Sequence, residues 1–238
     1  MLTALFSLAL MLGDPGPSSA EPTATREILP FRPSLHGLPF VNSFPVKLEI
    51  PLGFTSWKLR SDFGLCGGMI YRTLDAWEGG EEVDRDQTRP KFGSDRYWDL
   101  MQRQTETLVP GVWAKVLKWQ QRPDRETRWC PLSSLRRMVP GELAKVRDRI
   151  DRGWAVPICL IRRSGLSNPS YNHQVLVYGY EQSGRETTLH VYDPNHPNDD
   201  SIRIAVRVGR NRLYLSQSSG EHNRGLFVLS YDRQRAQR

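Results

Sequence analysis

Cysteine is scarce in this chain, with only Cys66, Cys130 and Cys159 among 238 residues. That excludes a disulfide-stapled scaffold and any zinc module built on repeated Cys-x-x-Cys pairs. The odd count fits one free thiol beside a Cys130–Cys159 disulfide, and it fits three reduced thiols equally well. Long hydrophobic runs are also lacking. No apolar stretch reaches about 18 residues, the length a membrane-spanning helix needs, and the mean hydropathy is negative. The sequence has no internal repeat, no RNA-binding aromatic signature and no continuous basic block, so no nucleic-acid partner is expected.

Apolar residues at 38% and charged residues at 25% describe a soluble globular chain, and its length can bury one substantial core. The net charge of +7 comes mainly from arginine, densest at Arg203, Arg207, Arg210, Arg212, Arg233, Arg235 and Arg238. Such a surface can meet nucleic acid, anionic envelope polymers or acidic proteins, but without a motif it reads as solvated surface charge. Leu2 to Leu12 has the length and apolarity of a signal-peptide core, with Ser18 and Ala20 before a cleavage point. No lysine or arginine precedes it. Residues 1–20 are therefore read as a signal segment of a secreted or periplasmic protein, with a cytoplasmic location as the alternative.

Residues 21–45, within a Pro-, Gly- and Ser-rich stretch, read as a linker or extended arm, and residues 46–238 as the folded domain. A short strand is predicted over Val46–Ile50. Cys66, Met69, Ile70, Thr73, Leu74 and Trp77 then recur at helical spacing until Gly79-Gly80. Ser94 caps a second helix running to about Thr107, with Tyr97, Trp98 and Met101 on one face. A third follows Pro110-Gly111, carrying Trp113, Val116, Leu117 and Trp119. A fourth opens at Pro140 and ends at Gly153. Trp154–Ile161 reads as a central strand, and strands follow at 172–180, 187–192, 202–208, 212–216 and 226–231. Helices first and strands second indicate an α+β domain with an antiparallel sheet.

Gly64-Leu65-Cys66-Gly67-Gly68 places a thiol at the first turn of an apolar helix. Free N–H groups and the positive end of the helix dipole favour a thiolate there and can bind an oxyanion. The flanking glycines would let a substrate backbone approach closely. The bland reading is a small buried hydrophobe that happens to begin a helix.

A turn containing Ser183-Gly184 joins two strands, and a three-residue loop over 182–184 sets His173 opposite Asp193, Val175 opposite Val191 and Val177 opposite Leu189. A two-residue shift would set Asn195 opposite His173 and keep the same face. That face is apolar except at its end, where a carboxylate or amide could fix the imidazole and its tautomer. A structural His–Asp pair is the plain alternative. His190 falls on the other face with Tyr178 and Tyr192, as a structural residue, while His36, His196 and His222 fall in loops.

The order Cys66, His173, Asp193, with Asn172 to Tyr180 and His190-Val191-Tyr192-Asp193-Pro194-Asn195 around the last two, resembles the papain-like cysteine peptidases, and most nearly the bacterial C39-like peptidases. The resemblance covers residues 60–200. It implies a nucleophile helix packed on an antiparallel sheet, a peptide or protein substrate and no cofactor. It further implies Cys66 as nucleophile, His173 as base then acid, and Asp193 as its orienter. One departure concerns the oxyanion donor. The family places a glutamine shortly before the cysteine, whereas here Arg60 stands six residues before Cys66 and no glutamine precedes Gln87. Asn42, Arg60 or Trp57 could substitute, and Asn195 could orient. Acyl transfer, deamidation and an inactive binding module therefore stand as alternatives to hydrolysis. Asp193, Asn195, Asp199 and Asp200 make an oxygen-rich loop suited to calcium, though without EF-hand spacing, and His173, His196 and Asp193 have no recognised zinc spacing, so no metal is assigned.

Overall fold

The computed structural model describes residues 24–44, 46–52, 55–61, 64–126 and 133–233, of which 46–61 are described as backbone. The signal segment read over 1–20 and Cys130 lie outside these residues. The elements run β1 (Thr25–Ile28), α1 (Pro33–His36), β2 (Val46–Leu52), β3 (Thr55–Ser61), α2 (Cys66–Gly79), α3 (Asp95–Glu106), α4 (Pro110–Gln120) and α5 (Leu135–Asp151). Then come β4 (Val156–Ile161), β5 (His173–Ser183), β6 (Glu186–Tyr192), β7 (Arg203–Val208), β8 (Leu213–Gln217) and β9 (Gly225–Val228). The fold is α+β with an antiparallel sheet, as the order of patterns predicts.

Each helix has a local cause. In α2, residues Met69, Ile70, Thr73 and Leu74 are fully buried, and Gly80 ends the helix in the left-handed conformation at φ +69°. Its N–H returns to the carbonyls of Ala76 and Trp77. The Ser94 hydroxyl accepts the Tyr97 N–H and starts α3. The buried face of α3 is Tyr97, Leu100 and Gln104, whereas Trp98 is 52% exposed, contrary to the predicted face. Trp98 is one residue, about 100° of helix, off that stripe, and it packs edge-on against Tyr97 and against Phe92. Pro110 opens α4 at a position where its missing N–H has no intrahelical partner to lose.

Helix α5 begins five residues before Pro140, not at it. Ser134 accepts the Arg137 N–H, while Leu135 and Val139 are fully buried, so capping and burial carry the helix through an exposed proline. Pro140 removes the bond its own N–H would have made and crowds the carbonyl one turn before it.

The strand order is β8-β7-β6-β5-β4-β9, with β1 also paired to β5. The expected central strand, β4, is therefore next to last, and β5 and β6 occupy the middle. Helices α4 and α5 pack against β4, so it is buried along its whole length despite its place. One edge of β5 is shared: β4 pairs with His173–Val177 and β1 with Gly179–Gln182. A bulge between Val177 and Gly179 marks the handover. Gly179 is required there, because a Cβ would come within 3.0 Å of the Glu27 carbonyl oxygen.

The stretch read as a linker or arm is thus woven into the fold from residue 25 onward. Phe31 anchors it, 1% exposed, with its ring against Trp77, Tyr178 and Tyr192 at 5.4, 5.5 and 6.3 Å. Two buried charges tie elements together as well. Arg103 pairs with Asp75 at 2.6 Å and with Glu106, and Glu142 accepts the Val228 N–H and pairs with Lys145. Phe31→Ala is expected to destabilise the protein by about 3–5 kcal/mol, the usual cost of emptying such a site. Urea denaturation followed by tryptophan fluorescence measures it, and a loss under about 1 kcal/mol would show that the arm is not part of the core.

Candidate active site

Cys66 is the first residue of α2, partly exposed, and opens on a cleft of about 490 Å³. His173 begins β5 and is 4% exposed, and Asp193 follows β6 and is 1% exposed. The His173 Nε2 lies 2.7 Å from Asp193 Oδ1, so that nitrogen carries the proton given to the carboxylate. The other ring nitrogen is left for Cys66, which lines the same cleft as His173. Cys66, His173 and Asp193 are brought together, in the order the sequence suggests.

The hairpin that achieves this is not the predicted one. Ser183 pairs with Glu186 across the two-residue turn Gly184-Arg185, with φ +56° at Gly184. Beyond the bulge Val177 faces Val191, and Leu176 faces Tyr192. Continued past the end of β6, this register levels His173 with Asn195, the two-residue shift. Asp193 therefore reaches His173 diagonally rather than from directly opposite. The bulge absorbs the odd offset left by the shorter turn and keeps Val175, Val177, Leu189 and Val191 in the core.

Asp193 is held from three sides. Besides His173, its Oδ1 accepts the Asn195 N–H at 2.8 Å, and its Oδ2 accepts the Gln217 side-chain amide at 2.7 Å. Gln217, on β8, has no sequence signal that would single it out. Asn195 is an orienter through its backbone, and its side chain accepts the Asn42 Nδ2–H at 3.0 Å. Asn42 also donates its backbone N–H to the Pro194 carbonyl and lines the cleft beside Cys66. A Cβ at Gly64 would sit 1.9 Å from the Asn42 amide, so Gly64 makes room for it. Arg60 and Trp57 stand on β3, and their side chains lie outside the described residues.

The glycines after Cys66 serve a different purpose from the expected substrate approach. A Cβ at Gly67 would meet Thr107 Oγ1 at 2.3 Å and Gln174 Oε1 at 2.6 Å, and one at Gly68 would meet the Leu100 carbonyl at 2.1 Å. They let α3 and β5 close on the start of α2. Gly68 N–H is taken by Gln104 Oε1 at 3.0 Å. Among the described residues, the N–H groups of Cys66 and Gly67 remain as the first-turn donors.

Behind Cys66 lies a second cavity, of about 90 Å³, walled by Met101, Leu108, Val112, Trp113, Val116 and Cys159. Most of this wall comes from α3 and α4. Cys159 is a free, buried thiol, and Cys130, the partner the sequence offered for it, lies outside the described residues. Burial and the neighbouring Cys66 both push its pKa far up, so it stays a neutral thiol.

Burial raises the Cys66 thiol as well, but the hydrogen bond and charge of His173, with the Gln174 backbone N–H, outweigh it and leave Cys66 below its ordinary value. Burial would lower His173, yet the Asp193 charge and hydrogen bond, reinforced by Cys66, raise it to about 9. Asp193, despite burial, is held well below the carboxylate range by His173, Asn195 and Gln217. The arrangement favours a thiolate–imidazolium pair beside a permanent carboxylate.

The acidic loop is spread over separate duties. Asp199 Oδ1 accepts the Ser201 N–H, Asp200 accepts the Ser34 N–H and hydroxyl, and His196 pairs with Glu221 at 3.2 Å. Asp193, His196 and Glu221 do place ligand atoms within 4.8 Å of one another, but both Asp193 oxygens are already committed. His190 is structural, buried against Tyr178 and bonded to Glu181. His36 belongs to α1 rather than a loop, with its ring 4.9 Å from that of Trp77. Comparison with protein-family models, curated proteins and solved structures finds no match.

Two measurements test the electrostatics. Iodoacetamide should label Cys66 rapidly well below the ordinary thiol pKa of about 8.5, and His173→Ala should abolish that advantage. Labelling of Cys66 no faster than a free thiol overturns the assignment. Folding linkage supplies the second. His173 is protonated to about pH 9 when folded and to 6.5 when unfolded. Its contribution to stability is then full below 6.5 and lost as pH rises through about 9. Because the depressed Cys66 thiol titrates in the opposite sense, the fall is read in Cys66→Ala, where urea midpoints should drop as pH rises through that window and stay flat once His173→Ala is added.

Proposed function

We propose that this chain is a cysteine-dependent hydrolase of peptide or related acyl and amide bonds, working through a thioester in a papain-like arrangement. The observation that carries the reading is a thiol at a helix start that shares its cleft with a histidine fixed by a buried carboxylate. Cys66 Sγ attacks the acyl carbon, and the charge on its oxygen is met by the Cys66 and Gly67 N–H groups and the Asn42 amide. His173 gives its proton to the leaving nitrogen as the C–N bond breaks. Water then attacks the thioester, His173 takes its proton, and the thiolate is released. Asn42 thereby takes the place of the glutamine that the papain-like pattern provides, and Asn195 positions it.

The cavity behind Cys66 has room for roughly three water molecules, enough for a short aliphatic side chain and too little for an aromatic ring. The substrate is therefore read as a peptide or acyl amide with a small aliphatic group beside the scissile carbonyl. No helix among the described residues is long and apolar enough to cross a membrane.

Turnover of a library of peptide and acyl anilides tests the reading. Cys66→Ala should abolish it, and Asp193→Asn should lower kcat/KM by roughly 10²–10⁴-fold. The pH profile should fall on the acid side as the thiolate is protonated and on the basic side near pH 9 as His173 loses its proton. Val112→Trp should fill the cavity and shift preference towards glycine-like acyl groups. A reactive Cys66 with no turnover of any library member would leave a binding module and overturn the hydrolase.

A further inference from the structure

At the far end of the sheet from Cys66, a cavity of about 450 Å³ is lined by Arg136, Arg147, Arg185 and Arg210. Nine residues of β5 separate His173 from Gln182 beside this cavity, a distance of about 30 Å at strand rise. The four cations arrive from three elements: Arg136 and Arg147 from α5, Arg185 from the β5–β6 turn, and Arg210 from the β7–β8 turn. Two are fixed in place. Arg136 donates Nε–H to the Gly209 carbonyl at 2.8 Å, and Arg147 donates to Gln182 Oε1 at 2.7 Å. Each guanidinium has five N–H donors, so most remain uncommitted.

No carboxylate lines this cavity, and among the described residues none of the four arginines joins an ion pair. Some arginines elsewhere pair with carboxylates, as at Arg96, Arg103 and Arg233, and others, such as Arg85 and Arg162, bond to carbonyl or amide oxygens. Four like charges lining one concavity repel each other unless an anion joins them. We infer that this cavity is a binding site for a diphosphate group. Planar guanidinium forks match phosphate oxygens two at a time, and four of them serve two adjacent phosphates. A diphosphate near neutral pH balances most of the charge, where a monophosphate would leave about half of it unmatched. Pro140, Leu143 and Val208 complete the wall with apolar surface for an uncharged substituent.

Calorimetric titration of the full chain with inorganic pyrophosphate, at physiological salt, tests this site independently of any catalysis. Saturable one-to-one binding is expected, at least tenfold tighter than inorganic phosphate. Arg185 and Arg210 are exposed, so Arg185→Gln with Arg210→Gln should leave the urea midpoint intact and weaken pyrophosphate binding at least tenfold. Cys66→Ser should bind as wild type. Adenosine diphosphate binding tighter than pyrophosphate would place the substituent on the apolar wall, while equal affinity would assign recognition to the diphosphate alone. Phosphate binding as tightly as pyrophosphate, no saturable heat below millimolar concentration, or undiminished binding in the double variant each overturns the inference.

Discussion

A single buried charge organises the end of the fold that carries Cys66. Asp193 is almost wholly out of water, a position a carboxylate tolerates only when its oxygens are fully engaged. His173, the Asn195 N–H and Gln217 meet that demand, and each draws another element inward. Gln217 ties β8 to the end of β6. Asn195 shapes the turn after it and captures Asn42, which is why the residues before β2 lie over the cleft. His173 in turn is left with one ring nitrogen for Cys66, which lines the same cleft. The electrostatics follow: a carboxylate that stays charged keeps the imidazole protonated, and the imidazolium keeps the thiol acidic.

Close packing supplies the second constraint. Gly64, Gly67 and Gly68 each sit where a Cβ would collide with Asn42, with Thr107 and Gln174, or with the Leu100 carbonyl. The start of α2 is therefore clamped between the N-terminal arm, α3 and β5. This fixes the direction of the first-turn N–H groups and leaves only a narrow apolar space behind the thiol. A thiol that could swing or a wider space would relax both the proposed oxyanion geometry and the proposed selectivity for small aliphatic groups.

Charge is divided between the two ends of the sheet. At the end that carries Cys66, the buried Asp193 carboxylate is matched by His173 at 2.7 Å. At the end with the two hairpin turns, arginines gather around a cavity with no lining carboxylate. The basic balance of the chain is thus partly a local feature of the fold and not only a solvated surface.

Much of this was legible in the residues themselves. The stripe Cys66–Met69–Ile70–Thr73–Leu74 and the stop at Gly80 determined α2, because helical period and a left-handed glycine are local properties. Ser94 announced α3, and the run of apolar strands announced the sheet. Asp193 and His173 stood out because they end an otherwise apolar face. What the sequence could not decide was non-local. The turn at Gly184-Arg185 and the bulge before Gly179 changed the pairing of β5 with β6 while preserving which residues are buried, since burial pattern constrains only the parity of a register. The arm became β1 and a buried Phe31 because β5 had half an edge left unpaired by β4. Gln217, Asn42 and the apolar wall from α3 and α4 were brought to Asp193 or Cys66 across more than twenty residues of chain each, and the four arginines come from three separate elements, a proximity that only tertiary packing creates.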